Sequence, residues 1–137
     1  MVVMKKGCST GLTFGKINGV KLNVKLQNSQ GLTAEWISVP LEGSEIDHLI
    51  SGGVFSGFRM TETLSRPLVM EVFACVGDSG SFVIDTETLK VVGMVIGGLP
   101  TRNPPLTAIT PFHAIFGWMN SRLRRQGIGF GDDCLKV

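Results

Sequence analysis

Histidine occurs only twice in this chain of 137 residues and cysteine three times, which limits the chemistry available to it. Cys8, Cys75 and Cys134 are odd in number, far apart and in no metal-ligand spacing. Neither a secreted disulfide framework nor a metal site is therefore expected, and a reducing, cytoplasmic setting is. No uncharged apolar run reaches the roughly 20 residues of a membrane helix. The opening Met1-Val2-Val3-Met4-Lys5-Lys6 places charge after a very short apolar stretch, the reverse of a signal peptide. Charge of one sign is also scarce. A net charge of +2 is too small to imply nucleic acid or an anionic membrane as partner. The one dense basic run, Arg122, Arg124 and Arg125, falls where a helix is expected to end, and there it complements the helix dipole. Nothing in the composition asks for a cofactor.

What is present is apolar residues in short alternating runs, divided by glycine and polar turns, at a length that suits one domain. Strands are expected at 2–6, 12–17, 33–39, 55–60, 68–73, 82–84, 91–96 and 107–109. Val20, Leu22, Val24 and Leu26 alternate with Lys21, Asn23 and Lys25, a clear period of two. Asn18-Gly19 fits either a two-residue hairpin turn or a bulge within one long bent strand. Between residues 41 and 57, Glu42, Ser44, Glu45 and Asp47 suggest a polar loop, and Gly52-Gly53 argues against a helix over 46–50. Pro100, Pro104 and Pro105 make a stiff connection.

A helix is expected only near the C-terminus, over about 111–126. Thr110 suits its N-cap and Pro111 its first turn. Phe112, Ile115, Phe116, Met119 and Leu123 give it one apolar face, and Gly127 supplies a left-handed stop. The expected fold is all-β: an antiparallel barrel closed by one helix, over residues 1–127, followed by a flexible tail at 128–137.

Gly77-Asp78-Ser79-Gly80-Ser81 carries the strongest chemical signal. Glycine on both sides lets the backbone turn sharply and expose the serine Oγ. It also lets neighbouring N–H groups gather where an acyl-transfer oxyanion could sit. A Gly/Ser-rich surface turn without chemistry would look similar in isolation.

Three motifs, in order, place this loop in a wider pattern. Lys6-Gly7-Cys8-Ser9-Thr10-Gly11-Leu12-Thr13-Phe14-Gly15 has a lysine–glycine–x–x–threonine–glycine–x–threonine–x–glycine form. The serine loop follows. Val91 to Gly98 and then Ala108-Ile109-Thr110-Pro111 complete it. With these the chain resembles the C-terminal barrel of chymotrypsin-like (trypsin-fold) serine proteases, especially disulfide-free microbial and fungal forms. The resemblance implies a six-stranded Greek-key-type barrel. It makes Ser79 the nucleophile, with the N–H groups of Gly77 and Ser79 as the oxyanion hole. Asp78 would brace the loop by accepting buried hydrogen bonds or pairing with a cation. Val95, Ile96 and Gly97 would bond the backbone of an extended peptide. Phe73 would lie near the floor of the primary specificity pocket and disfavour a basic substrate side chain. No cofactor is implied.

In that family the general-base histidine and its aspartate come from an N-terminal barrel, and this chain starts about where the second barrel starts. Without the base the Ser79 hydroxyl is a poor nucleophile at neutral pH. Two functions are therefore expected. One is a half-enzyme whose peptide chemistry needs histidine and aspartate from a partner barrel. The other is a non-catalytic peptide- or protein-binding module. An orphan barrel face would favour self-association. His48, beside Asp47, reads as a solvated loop residue, and His113 as a surface or capping residue of the helix. Cys75 reads as a buried thiol, and Trp36 and Trp118 as core or half-buried aromatics.

Overall fold

A computed structural model describes residues 1–25, 31–51, 72–99 and 105–128. Within them run β1 (Val2–Gly7), β2 (Gly11–Lys25), β3 (Leu32–Pro40), α1 (Gly43–Ser51), β4 (Phe82–Asp85), β5 (Val91–Leu99), β6 (Leu106–Pro111) and α2 (Phe112–Arg125). All strand pairs are antiparallel, and the sheet closes into a barrel in the order β1-β2-β3-β6-β5-β4. Strands β4, β5 and β6 follow one another as neighbours, and β3 lies beside β6 rather than β4. That is a Greek key, in which one long connection carries the chain from β3 to β4. The expected strands at 55–60 and 68–71, the Pro-rich segment 100–104 and the tail from 129 onward lie outside the described residues. Val72 and Phe73, placed in a strand by sequence pattern, are not in one.

Alternation along β1 sorts two cores. Val3 points into the barrel with Ile17, Phe73, Val83, Val95 and Ile109, and Trp36, Ala74 and Val92 pack against them. Met4, one residue on, joins a second cluster with Phe14, Leu41 and Ile46, supported by Leu49. That second cluster explains α1, which sequence pattern read as a polar loop. Ile46 is 1% exposed, and it and the half-buried Leu49 share one face at the spacing of a helix turn. The Glu45 carboxylate accepts from the Glu42 N–H at 3.2 Å, half of a capping box. Residues 52 and 53 therefore follow a helix instead of forbidding one.

The two options at Asn18-Gly19 resolve in favour of the bulge. β2 runs unbroken through them, and pairing passes from Ile17–Ser38 to Lys21–Trp36, so Asn18, Gly19 and Val20 oppose Ile37 alone. Beyond the bulge β2 leaves the core, while on β3 Trp36 still packs against it, Glu35 is buried and only 32–34 are exposed. Val20 is 70% and Leu22 44% exposed, so the clearest period-two pattern in the chain marks a strand without marking a core.

Thr110 belongs to β6, paired with Met94, and α2 starts from Pro111 with no side-chain cap. Its end is as expected. Gly127 has φ +72°, its N–H bonds the Arg124 carbonyl, and the Ile128 N–H bonds the Leu123 carbonyl, a Schellman motif. No residue of α2 is fully buried, and Trp118 is 63% exposed beneath the Arg122 guanidinium. No helix of the described residues is long and apolar enough to cross a membrane.

Ile46→Ala is expected to cost about 2–4 kcal/mol through the cavity it leaves. Leu22→Ala should stay within about 0.5 kcal/mol of wild type. Urea unfolding of the two variants checks the contrast, and equal losses would contradict the core assignment.

Candidate functional site: a serine at the rim of an apolar groove

Residues 75–81 form two successive tight turns. The Asp78 N–H bonds the Cys75 carbonyl at 3.0 Å, and the Ser81 N–H bonds the Asp78 carbonyl at 3.0 Å. The third position of each turn is a glycine at positive φ, Gly77 at +99° and Gly80 at +89°. This is the demand of a type II turn, and glycine meets it without strain. Ser79 occupies the corner of the second turn and is exposed. The loop is then tied to β5. The Gly80 N–H bonds the Val95 carbonyl at 2.8 Å, and the Val95 N–H bonds the Ser81 carbonyl at 2.9 Å.

Between the two turns Asp78 points inward and is completely buried. Its Oδ1 accepts from the N–H groups of Ser9 at 2.8 Å and Thr10 at 3.3 Å. Its Oδ2 accepts from the Thr10 hydroxyl at 2.6 Å, the Cys75 N–H at 3.1 Å and the Lys5 ammonium at 3.1 Å. Lys5 shares the inward phase of β1 with Val3 and is itself buried, with no side-chain exposure. It also donates to the Thr10 hydroxyl at 2.6 Å and lies 5.6 Å from the centre of the Phe73 ring. Burial alone pushes the Asp78 carboxyl up. The Thr10 hydroxyl, the N–H groups of Cys75 and Ser9 and the Lys5 ammonium outweigh it and hold the carboxyl far below the usual carboxylate range. The first and second sequence motifs thus meet at one carboxylate. A Cβ at Gly7 would fall on that carboxylate, and one at Gly77 would strike the Ser9 hydroxyl, which donates to the Val76 carbonyl at 2.7 Å.

Asp78 uses its own N–H and carbonyl to close the turns. The N–H groups of Gly77 and Ser79, and the Ser79 hydroxyl, have no partner among the described residues. Gly77 and Ser79 border a groove of about 500 Å³. Val72, Ala74, Cys75 and Val76 continue the loop wall. Val95, Gly97 and Gly98 of β5, with Pro105 and Leu106, form the opposite one.

Several site residues read from the sequence stand elsewhere than expected. Phe73 is fully buried in the barrel core, its carbonyl bonded by the Thr13 hydroxyl at 2.7 Å, while its neighbours Val72 and Ala74 face the groove. Ile96 does not line the groove. Pairing passes from Val95–Ile109 to Gly97–Ala108, so Ile96 is the extra residue of a bulge. Val95 lines the groove, but its backbone is already engaged by Gly80 and Ser81, so an extended ligand would meet β5 beyond it. Cys75, expected to be buried, is exposed at the groove wall, and Cys8 is exposed too. Of the two histidines, His48 lies in α1, and His113 opens α2 with its ring edge-on to Trp36 at 6.4 Å. Neither borders the groove.

Lys5 was missed. The signal was available, since a lysine in the phase of Val3 on a half-buried strand must find a counter-charge. No cluster of three or more histidine, cysteine, aspartate or glutamate side chains suited to a metal occurs among the described residues. No family model, characterised protein or solved structure matches the chain.

Lys5→Met is expected to cost about 3–5 kcal/mol, because it strands a buried carboxylate without its cation. Acid should have a related effect. The folded-state pKa of Asp78 lies below the unfolded value near about 4. Its contribution is therefore complete above about pH 4 and is lost as pH falls toward the folded value. Unfolding free energies of wild type and Asp78→Asn across that acid range check this. A wild-type acid slope identical to that of the variant would refute the assignment.

Proposed function

We propose that this domain carries the nucleophile half of a trypsin-like serine hydrolase site acting on peptides. Ser79 is the nucleophile, and the N–H groups of Gly77 and Ser79 receive the oxyanion. The observation that carries the reading is the loop itself. An exposed serine stands at the corner of a turn, its N–H and that of Gly77 are unspent among the described residues, and both residues border a groove. Asp78 serves as the brace that the resemblance assigned to it, with Lys5 as its cation. Attack by Ser79 on a carbonyl needs a base to take the hydroxyl proton and return it to the leaving amine. His48 and His113 stand away from the groove, so in this reading the base comes from a partner barrel that brings histidine and aspartate to the rim.

A specific observation favours a second reading, a non-catalytic peptide-binding module. Apart from the Cys75 thiol, no ionisable side chain among the described residues lines the groove, so none of them offers it a proton carrier.

A fluorophosphonate probe separates the two. Labelling at Ser79, absent in Ser79→Ala and raised by about 10²-fold or more when a histidine-bearing partner barrel is supplied, is the result expected of the half-enzyme. Equal labelling of wild type and Ser79→Ala removes Ser79 from the chemistry. A partner barrel that binds without raising the rate favours the binding module.

A further inference from the structure

Strand β2 runs well past its neighbour β1. It has 15 residues against 6, and β1 follows it only to Lys16, with the Met1 backbone bonding Ile17 beyond. On its other side β2 stays paired with β3, from Lys21–Trp36 to Lys25–Leu32. Strand β3 in turn meets β6 only over Trp36 to Ser38. Among the described residues, 18–25 and 32–35 therefore form a ribbon with no third strand beside it. A two-stranded ribbon is at best marginally stable in water by itself. Alternate residues of an antiparallel strand turn their N–H and C=O groups to one neighbour and the rest to the other. Backbone groups of β2 thus face an open edge.

Register sorts the side chains onto two faces, because directly paired residues share one. One face carries Lys21, Asn23 and Lys25, with Ala34 and Leu32. The other carries Leu22 and Val24, with Glu35 and Thr33. Lys21, Leu22, Asn23 and Lys25 are exposed, and Val24 is half-buried. Neither lysine forms an ion pair among the described residues. Glu35, the one acid of the ribbon, is 2% exposed and lies on the opposite face, so it offers them no counter-charge.

These features specify what can complete the ribbon. An antiparallel strand added to the edge of β2 sets one residue against each of Lys25, Val24, Asn23, Leu22 and Lys21 in turn. Cross-strand pairing favours acids against the two lysines and apolar residues against Val24 and Leu22. The matching segment reads acid, apolar, polar, apolar, acid. A second copy of this chain fits poorly. Paired along the same edge with like faces together, it adds its own Lys21 and Lys25 to the lysine face and no acid.

We propose that the edge of β2 over residues 18–25 docks an extended acidic segment of a partner protein, which joins the sheet as a further strand with its acids against Lys21 and Lys25. No residue of this edge lines the Ser79 groove, and the proposal does not rest on the hydrolase reading.

An end-blocked, fluorescein-labelled peptide with the core glutamate–valine–threonine–leucine–glutamate is titrated with the full chain and followed by fluorescence anisotropy. It is expected to bind roughly 10-fold more tightly than the same peptide with lysine in place of both glutamates. Lys21→Glu combined with Lys25→Glu should keep the wild-type melting transition and invert that preference. Two further peptides probe the backbone, one N-methylated at valine and leucine, the other at threonine and the second glutamate. Strand addition requires that one pattern destroy binding and the other spare it. Hydrogen exchange should slow along 18–25 and stay unchanged along β5. Equal affinity for acidic and basic peptides, or a preference that the double variant leaves unaltered, overturns the acidic partner. Equal effects of the two N-methylation patterns overturn strand addition, and slowed exchange along β5 in place of β2 overturns the site. A dimer seen by light scattering, with exchange slowed over 18–25, assigns the edge to a second copy instead. Absence of binding leaves the lysines as guards against edge pairing and overturns the proposal. All of these readouts are independent of fluorophosphonate labelling at Ser79.

Discussion

One buried carboxylate organises the serine-loop end of this barrel. Asp78 has lost all contact with solvent, a position that would be ruinous for an unpaired charge. It is tolerated because three N–H groups, a hydroxyl and an ammonium converge on its two oxygens. Four of those five donors come from Lys5, Ser9 and Thr10, on β1 and the turn that follows it. Once the carboxylate is pinned, the backbone on either side has little freedom. Asp78 closes one turn with its N–H and the next with its carbonyl, and among the described residues the flanking N–H groups of Gly77 and Ser79 are left over. The unspent donors beside Ser79 are thus a geometric consequence of the brace.

The same economy explains why charge sits inside an apolar barrel. Lys5 occupies the row of Val3, above the Phe73 ring, in space that a hydrophobic residue would otherwise fill. Among the described residues an ammonium there bonds Asp78 and Thr10, and Asp78 in turn depends on the ammonium. The core and the serine loop are therefore one cooperative unit, in which loss of either ion strands the other.

Much of the fold was legible because strand patterning and turn chemistry act locally. The barrel strands among the described residues, the Schellman glycine and the glycine-flanked serine all rest on rules spanning a few residues. What escaped depended on partners far away in sequence. α1 was hidden because its polar residues Glu42, Ser44, Glu45 and Asp47 suit a loop as well as a helix, and only packing of Ile46 under β1 and β2 decides. Phe73 and Cys75 were misplaced because the chain there is neither strand nor helix, so no period fixes which way a side chain points. Ile96 was displaced by a bulge that shifts the phase of β5 midway. The serine loop was found from its own residues, whereas its brace was half-found: Asp78 was read and Lys5 was not.

The long β3 to β4 connection sets when the site can exist at all. Asp78 is 73 residues from Lys5 and 68 from Thr10. Contacts of such separation pay their loop-closure entropy before they return any stabilisation, and in barrels they form late. Strands β1 and β2 can zip as a hairpin early, but the serine turn, held until then by its own turn bonds and by Val95, gains its Asp78 brace only when β4 docks on β1. Competence of the groove is therefore an all-or-none property of the closed barrel, and a partly folded chain would present Ser79 on an unshaped loop.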